Sequence, residues 1–177
     1  MMLTADTSAR IRAALAENPG AVLEEIAERL DVTPRDVVMH LPEGEAVTVG
    51  GAHFEEVMRE MTAWGEVTFV INTGDVILEA KGVVPKGGMA RGFYNLHGKP
   101  IGGHLKADHC ELIGFVSRKL FESDTHSVQF YNQRGGCMFK VYLGRDARHR
   151  LIPEQVERFA AFRDRIAARA RDPVENG

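Results

Sequence analysis

The sequence predicts an α+β fold: a large antiparallel sheet flanked by helices, with a small N-terminal helical subdomain over residues 1–42 and a C-terminal helix. Three observations carry this expectation. From Val67 to Leu143, short β-favouring runs follow one another with brief turns, whereas parallel neighbours would need long crossovers. Ahead of them, Val22, Ile26, Leu30, Val37, Val38 and Leu41 recur at helical spacing. Behind them, Val156, Phe159, Phe162 and Ile166 do the same.

The region from Ser8 to Leu41 reads as three short helices, punctuated by Asn18-Pro19-Gly20 and by Thr33-Pro34. Thr33 suits an N-cap and Pro34 the first helical position, because proline lacks only an N–H that would be unpaired there anyway. The same segment looks like the first half of a helix-turn-helix. Its second helix, however, offers only Arg35 and His40 as readers beside Asp36, so packing against the next segment is the preferred reading.

A short strand is expected at 46–49 and a helix at 54–64. Val67, Phe69 and Ile71 then alternate with Thr68, Val70 and Asn72, and the turn Asn72-Thr73-Gly74-Asp75 leads into a strand at 76–82. Further strands are expected at 92–96, 101–106, 111–118, 126–132 and 137–143, with Phe69, Phe115, Phe130 and Phe139 in the core. Arg145 and Asp146 read as a structural ion pair at the sheet's end. The last helix opens at Pro153, and Arg158, Arg163, Arg165 and Arg169 form its solvated face. Residues 43–171 make the body of a single domain that includes the N-terminal helices, and 172–177 a flexible tail.

The chain of 177 residues is long enough for one substantial core. A net charge of −3 argues against a general polyanion-binding surface, so no nucleic-acid partner is expected. The two cysteines lack Cys-x-x-Cys spacing and the first residues lack a secretion leader, which points to a reducing, cytoplasmic address. No run approaches the roughly 20 apolar residues of a membrane span, so no stable membrane association is expected.

Among the seven histidines no His-Glu-x-x-His occurs, and His104 and His109, five apart, would not converge on one strand face. Nucleophile-elbow, phosphate-loop and dinucleotide motifs are missing too. The segment from Gly92 to Asp108 stands out. It combines Phe93 and Tyr94, His97 and His104, the small Gly102 and Gly103, and Lys99 and Lys106. Aromatic walls, an imidazole and cations are what a haem pocket requires, although composition alone does not single out haem.

Five separated motifs sharpen the reading: Trp64-Gly65-Glu66-Val67-Thr68, Asp75-Val76-Ile77-Leu78-Glu79, Gly92-Phe93-Tyr94-Asn95-Leu96, Gly103-His104-Leu105-Lys106-Ala107, and Phe139-Lys140-Val141-Tyr142-Leu143-Gly144-Arg145-Asp146. In this order they resemble the HutX/ChuX haem-utilisation carriers over nearly the whole chain. The resemblance implies a saddle-shaped sheet, a homodimer with haem in its clefts, and haem b as non-covalent cargo. It places the iron ligand at His104. A second family histidine falls on Asn72, leaving Tyr94, His97 or Tyr131 for the sixth position, while Lys106 and Lys99 suit the propionates. A tyrosine that some relatives use is displaced by one residue to Tyr94, which turns its hydroxyl to the other strand face. The implied function is a cytoplasmic carrier that takes haem from an importer and passes it to a haem-degrading enzyme or another acceptor. The alternatives are a haem-degrading enzyme and a haem-responsive DNA-binding regulator.

Overall fold

The computed structural model describes residues 3–171, so the expected tail at 172–177 lies outside the described residues. Three helices come first: α1 (Ala5–Glu17), α2 (Leu23–Leu30) and α3 (Pro34–Val38). Strand β1 (Ala46–Gly50) and helix α4 (Phe54–Met61) follow. Then come strands β2 (Glu66–Asn72), β3 (Ile77–Val83), β4 (Gly87–Ala90), β5 (Phe93–Leu96), β6 (Gly103–Leu105), β7 (Cys110–Leu120), β8 (Ser123–Asn132) and β9 (Cys137–Tyr142). Helix α5 (Pro153–Arg171) closes the order. The strands divide between an antiparallel six-stranded sheet, β1-β7-β8-β9-β2-β3, and a three-stranded sheet, β4-β5-β6.

Period-two alternation gives the large sheet two apolar faces. On one, Phe130 stacks on Phe139 at 4.2 Å and Phe139 on Phe69 at 4.8 Å, with Phe54 of α4 edge-on to Phe130 at 5.3 Å. Phe159 and Phe162 of α5 meet Phe115 edge-on in the same core. On the other face, Val116 and Tyr131 pack against Ile11, Leu15, Ile26, Val37 and Val38 of the N-terminal helices. Thr33 caps α3 as its sequence position predicts, through a reciprocal capping box with Asp36. His40 spends both ring nitrogens inside this bundle, on the Asp36 carbonyl oxygen and on Ser8 Oγ.

The helices are also tied to the sheet by charge. Lys140 Nζ, on a side chain only 7% exposed, sits 2.7 Å from Glu24 Oε1 at the start of α2. Arg118 Nη1 donates to the Ala21 carbonyl at 2.8 Å. Glu24→Ala would leave a buried ammonium without its counter-charge and is expected to cost about 3–5 kcal/mol in urea unfolding. The double replacement Glu24→Leu with Lys140→Met is expected to recover most of that loss.

Several local expectations change. Helix α4 stops at Met61, and 62–64 continue as a hydrogen-bonded turn before Gly65 at φ +85°. The strand expected at 101–106 shrinks to 103–105. Arg145 and Asp146 do not pair. Asp146 Oδ2 accepts from Arg150 Nε and Nη2 at 3.0 and 2.8 Å, while Arg145 donates to the carbonyls of Asp124 and His149. Nor is the arginine face of α5 simply solvated, because Arg165 and Arg169 reach Glu60 and Glu56 of α4. The buried Gln155 links three segments, donating to the Glu66 carbonyl at 2.8 Å and accepting from Gly144 N–H at 2.6 Å.

Burial pushes the Cys110 and Cys137 thiols up to about 12. Since thiolate is the nucleophile, at pH 8 only about one part in ten thousand of each would be reactive. Alkylation with iodoacetamide at that pH is therefore expected to modify neither cysteine in the native chain on the timescale that modifies both in urea.

Candidate functional site

The three-stranded sheet has an inner and an outer face. Tyr94 and Leu96 point inward and are 3% and 5% exposed, with Tyr94 edge-on to Phe54 at 5.6 Å. Alternation then sends Phe93 and Asn95 of β5 outward, and the register pairs Asn95 with His104 of β6. Lys106, one residue beyond β6, places its ammonium 4.3 Å over the Phe93 ring, and that ring meets His104 edge-on at 5.9 Å.

His104 is exposed, but its ring is held. His104 Nδ1 lies 2.6 Å from Asn95 Oδ1. Gly103, at φ +147°, adopts a conformation that favours glycine, and nothing lies within 4 Å of where its Cβ would stand, which leaves open space beside the imidazole. Gly102 serves a different purpose, since a Cβ there would come within 2.6 Å of the Gly98 carbonyl oxygen. Among the described residues no three His, Cys, Asp or Glu converge as a metal cage. A lone imidazole is nonetheless sufficient for iron already held by the four nitrogens of a porphyrin, so the residues present fit haem.

The other residues singled out by sequence lie elsewhere. Tyr94 is inside the core, where burial raises its hydroxyl pKa, and is not brought to the His104 face. Tyr131 is fully buried under the N-terminal helices and donates to Gln129 Oε1. His97 and Lys99 are exposed in the loop after β5. Asn72, at the end of β2 in the large sheet, accepts from Gly74 N–H at 2.9 Å and so closes the β2–β3 turn.

Asn72 also lines a feature that the sequence reading missed. On the helix-side face of the large sheet, the N-terminal helices do not extend over β3, whose Ile77, Glu79 and Lys81 are exposed. Two depressions of about 360 and 250 Å³ form there, sharing Val70, Glu79, Leu120, Thr125 and Tyr142 as lining. Arg145, His126 and His149 border the larger one, and Asn72, Ile77 and Phe121 the smaller. His126 Nδ1 is 2.8 Å from Ser117 Oγ, and burial, with Arg163 nearby, holds its pKa below the ordinary value. His104 lies outside the lining of both. Only Thr68 and Asn72, polar residues flanking Val70 on this face of β2, hinted that it would not be fully covered.

The small sheet thus brings together a tethered, exposed imidazole, open space beside it, an aromatic edge and a cation. The sequence profile of the family "Haem utilisation ChuX/HutX" matches residues 47–162. The intracellular heme transport protein HutX of Vibrio cholerae is 38% identical over 150 residues, which cover 84% of this chain and 78% of that one. A protein of known crystal structure from Erwinia carotovora superimposes with TM-score 0.84 at 37% identity, over 93% of this chain and 99% of that one. The crystal structure of the heme-binding protein ChuX gives TM-score 0.81 at 36% identity, over 88% and 98%. The chain belongs to the ChuX/HutX haem-utilisation family.

Proposed function

We propose that this protein is a haem carrier rather than an enzyme. It binds haem b non-covalently as cargo, with His104 Nε2 facing the iron, and releases it intact. The single observation that carries this is the His104–Asn95 pair: Nδ1 is engaged at 2.6 Å, which leaves the other ring nitrogen for a metal. Phe93 and Lys106 supply an apolar edge and a charge for a propionate, and Lys99 a second charge in the adjoining loop. His97 is the proposed sixth ligand, because it lies in the loop that joins β5 to β6, whereas Tyr94 and Tyr131 are buried. Ligation by one or two imidazoles, from an exposed strand and its adjoining loop, suits cargo that must leave again.

The homodimer belongs to the same proposal. Strand β3 is an edge of the large sheet, and Ile77, Leu78 and Val83 on it are 63%, 59% and 52% exposed. An unpaired apolar edge invites pairing with a second copy. The compartment is the cytoplasm. Among the described residues no helix is long and apolar enough to cross a membrane. Haem would come from an importer and go to a haem-degrading enzyme or an apoprotein. Residues 3–42 and 43–171 act as one unit, supported by the Lys140–Glu24 pair and the core shared through Val116 and Tyr131.

The test is transfer. The haem-loaded protein, mixed with excess apomyoglobin, is expected to yield holomyoglobin with no loss of porphyrin. Conversion to a bilin on adding ascorbate and oxygen in the presence of catalase would replace the carrier reading with an enzymatic one. Light scattering at micromolar concentration is expected to give twice the mass of one chain.

A further inference from the structure

The outer face of the three-stranded sheet contains a second polar side chain whose geometry is more constrained than that of His104. Asn95 places its amide nitrogen 2.9 Å from the Phe93 carbonyl oxygen, 3.0 Å from that of Ala90 and 3.4 Å from that of Gly88. A carbonyl oxygen only accepts, so the atom facing all three must be the –NH2 group, and Oδ1 must be the atom turned to His104. An amide oxygen also only accepts. The hydrogen in the 2.6 Å contact therefore sits on His104 Nδ1, and the lone pair of the neutral ring sits on Nε2.

We infer that Asn95 is a positioning residue that fixes His104 in the Nδ1–H tautomer, so that Nε2 is presented outward as a ready metal ligand. The chain of cause runs through the backbone. The β4–β5 turn at Arg91 and Gly92, at φ +53° and +77°, brings the Ala90 and Phe93 carbonyls to one side of the Asn95 amide. Those carbonyls orient the amide, the amide oxygen selects the tautomer, and the cross-strand register Asn95↔His104 delivers the contact. Aspartate could accept from Nδ1–H but could not donate to the three carbonyls. Leucine fills a similar volume and does neither. The inference rests on His104 being the iron-facing residue in its functional consequence, and on geometry alone in its statement about the tautomer.

The experiment separates these two. In the haem-free protein, nitrogen-15 NMR of the His104 ring at a pH where it is neutral is expected to show Nδ1 protonated and Nε2 unprotonated. A dominant Nε2–H tautomer in the wild type would overturn the inference without any variant being made. In Asn95→Leu, with the fold checked by circular dichroism, the ring is expected to revert to a tautomer mixture and the Kd for haemin to rise about 10–100-fold, the range usual for loss of a group that orients a metal-bound histidine. An unchanged tautomer and an unchanged Kd in that variant would also overturn it. Should His104→Ala leave haemin coordination intact, the ligand assignment fails while the tautomer measurement still stands or falls by itself.

Discussion

Replacing His104 by alanine is expected to remove the shifted Soret band that the wild type develops with haemin and to weaken haemin binding at least about 10-fold. The magnitude follows from comparison with groups that only orient a metal-bound histidine, whose loss costs about 10–100-fold; removing the ligand itself should cost no less. The expectation is specific because the outer face of the three-stranded sheet presents one imidazole, with Asn95 behind it, Phe93 at its edge and Lys106 beyond. His104 is exposed and its one polar contact is with another part-exposed side chain, so the substitution should alter unfolding free energy by no more than about 0.5 kcal/mol. Absorption titration and thermal melting of the same preparation therefore distinguish a lost ligand from a lost fold. Tyr131→Phe, in contrast, alters a hydroxyl fully buried beneath the N-terminal helices and should leave the haemin spectrum unchanged.

A large effect on stability is expected at Phe130. Its ring is fully buried, stacked on Phe139 at 4.2 Å and met edge-on by Phe54 at 5.3 Å, so it joins β8, β9 and α4 at the centre of the main core. Phe130→Ala removes a ring that close-packed neighbours cannot replace and is expected to cost about 3–5 kcal/mol in urea unfolding. Since a domain of this size has about 5–15 kcal/mol in total, the variant should be populated in unfolded form at modest temperature. Phe121, 69% exposed at the β7–β8 turn, is the control, and Phe121→Ser should change stability by no more than about 0.5 kcal/mol.

These two positions show what can be read from a one-dimensional pattern. Phe130 was legible because alternation along β8 puts it with Phe69, Phe115 and Phe139 on one face, and a face of four phenylalanines has to be buried. The opposed directions of Phe93 and Tyr94 were legible for the same reason. Strand β4 was not. Gly87 and Gly88 have little β preference, and their place in a strand is decided by a distant contact: a Cβ at Gly87 would approach the Tyr94 ring to 2.5 Å and the Asn95 carbonyl oxygen to 2.6 Å. The division into six and three strands was also hidden, because register and sheet membership depend on which edges meet after folding. Likewise, Arg145 and Asp146 look like a pair by adjacency, yet the loop returns Arg150 to Asp146 and sends Arg145 across to Asp124. Of the candidate site, His104 and Lys106 could be named in advance. Asn95 as the partner of His104 could not, because its role depends on the β5–β6 register and on three carbonyls gathered by the β4–β5 turn.

The most direct measurement is an absorption titration of the intact wild-type protein with haemin. Binding is expected to saturate at one haem per chain, with a Soret band shifted from that of free haemin. A spectrum that only adds free haemin to protein, with no saturation at micromolar concentrations, would contradict the claim that this chain carries haem.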